Sequence, residues 1–366
     1  MTSHKKQFLL VERERASTLI LLSVISFAVT IVAVRLFLEL TGYPQVGGGV
    51  LHIAHLLWGG LAMFMGLLIV LIWDNPGVLY ATALLSGVGI GLFIDEVGKF
   101  ITKNNDYFFP AAAPIVYGVF LAVLLLYLFV RRRGKLDPQR AMVLALDGLK
   151  EMTYGVVDEE EGRRILENLA LARQSDDPGI AMLATTLYDE FASLQGSFAT
   201  YRPGLFKRMG HTLKSWGLRL GRKWHRRLIL LGLIVNAISA LAFFLLIVFA
   251  VFDHRMTVNF LVSVVRAADA ADAGGVLGQA IRIALNVAIG FVALAAIIQF
   301  VRKHDRSGLT WGLVQIVLSL TLLQLVTFYL NQFTAIIPTM IQFLMLGILL
   351  TYQAWYLDGG AGETRA

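Results

Sequence analysis

The sequence predicts an all-α protein, a polytopic transmembrane helix bundle of about eight spans with a helical cytoplasmic insert. Three observations predict it. Of 366 residues 57% are hydrophobic and only 16% charged, with a mean hydropathy of +0.69. Soluble domains carry roughly 25% charged residues, so the ionic groups here are too few to cover a water-facing surface. Second, apolar stretches of spanning length recur along the chain. Third, one long polar stretch, 132–226, divides them into two sets.

A hydrocarbon core about 30 Å thick needs roughly 20 apolar residues at a helical rise of about 1.5 Å. Stretches 17–42, 49–73, 79–101, 110–131, 227–252, 276–301, 309–330 and 333–356 meet that length. The first 16 residues are polar and the first apolar run is too long for a signal-peptide core, so no cleavable signal is expected. Basic residues are retained on the cytoplasmic side. Lys5, Lys6, Arg13 and Arg15, then Arg131, Arg132 and Arg133, then Arg302, Lys303 and Arg306 all fall on one side if the chain crosses eight times. The expectation is a multi-pass protein of the cytoplasmic membrane with both termini cytoplasmic. Segments 43–48, 102–109, 253–275 and 331–332 then face outward, and 253–275, with Arg255 and Arg266, suits a helix lying in the outer interface.

This threading divides the chain into a four-span half (1–131), a helical insert (132–202), a basic amphipathic helix (203–226) and a second four-span half (227–366). In the insert, Asp137-Pro138 and Asp177-Pro178 each supply an N-cap followed by Pro at the first helical position. Asp158 with Glu161 resembles a capping box. Three short helices follow, and without a phosphate, metal or zinc motif their expected role is to meet a cytoplasmic protein partner across 136–200. From Leu205 through Met209, Leu213, Trp216 and Leu220 to Trp224, apolar residues recur at helical spacing among Lys207, Arg208, Lys214, Arg219, Arg222, Lys223, Arg226 and Arg227. Such a helix suits anionic lipid at 203–227. The net charge of +7 is thereby explained without nucleic acid, which is not expected as a partner.

Ionisable groups inside a span are costly, so their positions mark the candidate site. Arg35 and Glu39 lie four residues apart near the outer end of the first span, His52 and His55 in the first turns of the second, and Asp95, Glu96 and Lys99 in the last turns of the third. Antiparallel threading puts His55, Asp95 and Arg35 at one level about 9 Å below the outer boundary. Asn105 and Asp106 in the next loop could cover that layer, and Tyr117 of the fourth span could point into it. His52 and His55 share a helical face, and a carboxylate from Asp95 or Glu96 would complete a set for zinc or a similar divalent metal ion. Glu96 or Asp95 would then be the catalytic acid or base, with Arg35, Glu39, Lys99, Asn105, Asp106 and Tyr117 positioning a substrate. The bland alternative is a network in which Arg35 pairs with Glu39 and Lys99 with Asp95 or Glu96. Its two bases against three acids leave one negative charge for a proton, a protonated His or a bound cation to offset. The chain has no cysteine, so disulfides, thiolate nucleophiles and sulfur-ligated metals are excluded.

The segments His52-Ile53-Ala54-His55-Leu56-Leu57-Trp58-Gly59 and Phe93-Ile94-Asp95-Glu96-Val97-Gly98-Lys99-Phe100, with Asn105-Asp106-Tyr107-Phe108-Phe109, resemble segments of uncharacterised bacterial polytopic membrane proteins. The resemblance covers the second and third spans and the loop after them, and implies a bacterial membrane but no activity. Three function classes follow from the residues. One is an outward-facing, metal-binding site hydrolytic toward a lipid or anionic substrate. Another is a proton- or cation-coupled transporter using Asp95 and Glu96, and the third a non-catalytic scaffold or sensor working through the insert.

Overall fold

The computed structural model describes residues 11–13, 15–41, 55–103, 109–131, 136–154, 159–193, 205–252, 254–271 and 273–357. Every regular element among them is helical. Among the described residues eight helical stretches are long and apolar enough to cross a membrane: Ala16–Leu38, His55–Ile72, Pro76–Asp95, Ala112–Arg131, Gly221–Phe252, Gly275–Val301, Asp305–Leu330 and Phe333–Leu357. The protein is an integral membrane helix bundle. Its chain forms two compact units, residues 1–96 with 122–206 and residues 97–121 with 207–366.

The first unit is built on α1 (Ala16–Thr41), α2 (His55–Ile72) and α3 (Pro76–Asp95). Without a hydrophobic driving force between helices in lipid, close association needs small residues. α3 supplies them. Ala83, Gly87, Gly91 and Asp95 recur every four residues and are all buried. A Cβ on Gly87 would meet Ser26 Cβ at 2.6 Å, and one on Gly91 would meet Thr30 Cβ at 2.8 Å, so this stripe lies directly on α1. The other side of α3 meets α2 just as closely, since a Cβ on Gly89 would fall 2.7 Å from the Gly59 carbonyl oxygen. Hydroxyls stitch the three helices together. Ser23 Oγ donates to the Ala83 carbonyl at 2.9 Å and Thr82 Oγ1 to the Gly66 carbonyl at 3.1 Å.

The insert contributes α4 (Pro138–Met152), α5 (Glu159–Ala172) and α6 (Pro178–Ser193), the three helices expected. Asp137 accepts from the Arg140 amide at 2.9 Å and Asp177 from the Gly179 amide at 2.8 Å, which satisfies first-turn donors as the Asp-Pro pairs predict. Asp158 of the suspected capping box lies outside the described residues. Met142, Ile165, Leu169, Ala184 and Phe191 form the shared core. The insert is clasped to the ends of the spans. Arg15, just before α1, donates to Glu151 of α4 at 2.7 Å and to Glu161 of α5 at 2.6 Å. Lys150 reaches Asp74, in the turn between α2 and α3, at 2.6 Å. That hydrogen bond holds the exposed Lys150 ammonium above its ordinary value.

The second unit holds α8 (Leu205–Phe252), α9 (His254–Asp269), α10 (Gly275–Val301), α11 (Asp305–Leu318), α12 (Gln324–Leu330) and α13 (Gln332–Tyr352), together with the start of α7 (Ala112–Arg131). Ile229, Leu233, Phe300, Ile316, Leu349 and Tyr352 are central to its core. α9 occupies the segment where an interfacial helix was expected. The basic segment differs from expectation. At Gly221 the backbone turns to φ 66°, ψ 165°, a conformation that favours glycine. The break separates 205–220 from Trp224, so the apolar stripe read across 203–226 does not run along one continuous helix. The helix that carries the fifth apolar stretch begins at Gly221.

A single π turn, Ser319–Leu323, joins α11 to α12. Such turns disturb the helical hydrogen-bond ladder, and buried backbone groups in membrane spans then need other partners. Tyr117 of α7 supplies one, donating its hydroxyl to the Leu320 carbonyl at 2.8 Å while its ring packs 4.7 Å from that of Phe328. Tyr117→Phe keeps the ring and removes the donor. It should lower stability by about 1 kcal/mol, read as a fall in thermal unfolding temperature of the protein in nanodiscs. Unchanged unfolding would refute this role.

Candidate functional site

The four-residue stripe on α3 ends at Asp95, which explains its partner. Arg35 is on the α1 face that meets the stripe, and its Nε donates to Asp95 Oδ1 at 2.6 Å while Nη2 donates to the Asp95 carbonyl at 3.3 Å. Arg35 is 7% exposed and Asp95 1%. A hydrogen bond from a charged guanidinium to a carboxylate is roughly twice as strong as one between neutral groups. The pairing Arg35–Asp95 was missed in the sequence, where Glu39 seemed the natural partner by i, i+4 spacing. The missing signal was the register of the glycines, which places residue 95 over α1.

Glu96 caps α3 and is 1% exposed. Its Oε2 accepts from the Leu56 amide at 2.9 Å, at the N-terminus of α2, where the helix dipole favours an anion. His55, the first residue of α2, places Nδ1 3.9 Å from the same oxygen. That nitrogen is buried and makes no hydrogen bond among the described residues. At 3.9 Å the two atoms are too far apart to bond each other. A tetrahedral cation with metal–ligand distances of about 2.0–2.2 Å would hold two such atoms roughly 3.4 Å apart, so these two would have to close by about half an ångström to share one.

Four of the predicted residues are therefore brought together as two linked pairs, Arg35 with Asp95 and His55 with Glu96. Tyr117 belongs to the second unit and is engaged by Leu320. His52, Asn105 and Asp106 lie outside the described residues, as do the side chains of Glu39 and Lys99. Among the described residues there is no group of three His, Asp or Glu side chains that could hold a metal ion.

Several polar centres were not anticipated. Arg15 was read only as a marker of orientation, although the acids Glu151 and Glu161 near a helix end and a helix start hinted at a basic partner. In the second unit Asp305 accepts from Arg222 at 2.9 Å, Arg226 at 3.2 Å and Tyr352 at 2.7 Å. Arg226 also donates to the Phe300 carbonyl. Two basic residues assigned to the lipid surface thus have a protein partner, and the signal was one acid within the basic run Arg302–Arg306. His225 is 5% exposed and lies edge-on to Trp355. Gln279 is buried and donates to the Ala267 carbonyl, linking α9 to α10.

Comparison of the chain with protein-family models, with curated proteins and with solved structures returns no match.

Proposed function

We propose that this integral membrane protein is a sensor. Its His55–Glu96 site, facing outward, takes up a cation, and its cytoplasmic insert passes the occupancy on to a protein partner. The observation that carries this reading is the double anchorage of α1: Arg35 near one end binds Asp95, while Arg15 at the other bridges Glu151 and Glu161 of the insert. The basic residues of the sequence put the Arg15 end inside. Carriage across the membrane is the weaker alternative, because hydroxyls between the two ends are taken by backbone. Ser23 donates to Ala83, Ser26 to Leu22 and Thr82 to Gly66.

Hydrogen exchange of the full chain in nanodiscs tests the proposal, with zinc ion as the probe. Zinc should change protection across Glu159–Ala172 in the wild type and leave it unchanged in Glu96→Gln. No change in the wild type would overturn the sensor. Protection in Glu96→Gln that shifts as it does in the wild type would remove this site as its origin.

A second reading draws on the unpartnered Nδ1 of His55. His55 and Glu96, with His52, would hold a divalent metal, which when bound supplies an activated water for hydrolysis of a lipid or other anionic substrate. Lys99 would then orient the anion, since Arg35 is held by Asp95. Metal analysis of purified wild type against His55→Ala is decisive for this reading: equal content ends it.

A further inference from the structure

Where the insert meets the spans there is a polar cleft of about 80 Å³, lined by Arg13, Trp73, Asp74, Asp147, Lys150 and Glu151 among others. A smaller cleft of about 30 Å³ shares Arg13, Asp147 and Glu151 with it. Most of these charges are already matched. Glu151 is taken by Arg15, and Asp74 by Lys150. Arg13 and Asp147 line both clefts and join none of the ion pairs or hydrogen-bonded side-chain pairs among the described residues. The clefts thus offer one cation and one anion outside the close ion pairs, the anion acting on the Lys150 ammonium only at longer range.

We propose that this cleft binds the headgroup of a zwitterionic aminophospholipid, one phosphate diester and one primary ammonium. The proposal is independent of the sensor reading. Arg13 donates to the phosphate, the geometry for which guanidinium is suited. Asp147 accepts from the ammonium, which a quaternary amine cannot replace because it has no N–H to donate. The lipid source follows from the surroundings. The cleft opens beside Trp73 and Tyr154, 52% and 43% exposed, and such aromatics belong at headgroup depth. Leu71 and Ile72, 71% and 62% exposed, continue from it along α2 as a track for an acyl chain.

Native mass spectrometry of the delipidated full chain tests this, with phosphatidylethanolamine, phosphatidylcholine and phosphatidylglycerol offered at equal concentration. The wild type should retain the ethanolamine lipid roughly tenfold over the other two, the scale of one charge-assisted hydrogen bond. Asp147→Asn should bring ethanolamine and choline lipids level, and Arg13→Gln should lower both. Both residues are at the surface or half-buried, so neither substitution disturbs a core. Equal retention of ethanolamine and choline lipids by the wild type, glycerol lipid held as strongly, or a preference that survives Asp147→Asn would each overturn the proposal. Glycerophosphoethanolamine, which lacks acyl chains, should bind far more weakly. If it binds as tightly as the lipid, the ligand is a soluble zwitterion and the lipid assignment fails.

Discussion

Arg35→Ala should destabilise the first unit by about 3–5 kcal/mol, the range for removing one partner of a buried ion pair. Asp95 is 1% exposed, so removing the guanidinium leaves its carboxylate buried without that partner. Its carboxylate must then take up a proton or draw the helix ends apart. The size of the loss comes chiefly from the stranded charge, so Arg35→Leu combined with Asp95→Leu should recover most of it. Denaturant unfolding in a fixed detergent, with tryptophan fluorescence as the signal, measures both. A single variant within 1 kcal/mol of wild type would show that the pair is not part of what holds α1 to α3.

Gly89→Ala should separate α2 from α3. Its Cβ would lie 2.5 Å from Met63 Cγ and 2.7 Å from the Gly59 carbonyl oxygen, and the second of these is backbone and cannot rotate away. Overpacking of this kind costs about 1–3 kcal/mol. Gly60→Ala is the matched control. Nothing stands within 4 Å of a Cβ there, so the better helix propensity of alanine should stabilise by up to about 1 kcal/mol. Opposite signs of the two shifts in thermal unfolding are the expected outcome, and equal shifts would refute the close approach of these helices. The same variant should release the His55–Glu96 pair, whose two members are carried by the helices being pushed apart.

The spans were legible because their signal is length and apolarity, which no tertiary contact needs to supply. The Asp-Pro caps were legible for a similar reason, since Asp137 and Asp177 act on amides a few residues away. The site was legible only as a level in the membrane. Counting residues from the boundary put Arg35, His55 and Asp95 at one depth, but the pairing depends on rotation about each helix axis. Rotation is set by which face carries glycine and which carries serine and threonine. For the same reason Tyr117 could be placed in depth but not assigned a partner. The break at Gly221 was hidden because an unbroken apolar spacing reads alike on either side of a turn. The clasp of Arg15 on Glu151 and Glu161 joins residues more than a hundred positions apart, which local spacing does not reach.

The Arg35–Asp95 pair also sets a schedule for biosynthesis. The two residues are separated by 60 positions, and ribosomes add about 5–20 residues each second. Arg35 is therefore made, and enters the bilayer, roughly 3–12 s ahead of its acid. During that interval its long side chain must reach back toward the headgroups to keep the charge hydrated. The contact that seats the first helix against the third therefore forms only once the third helix has left the ribosome.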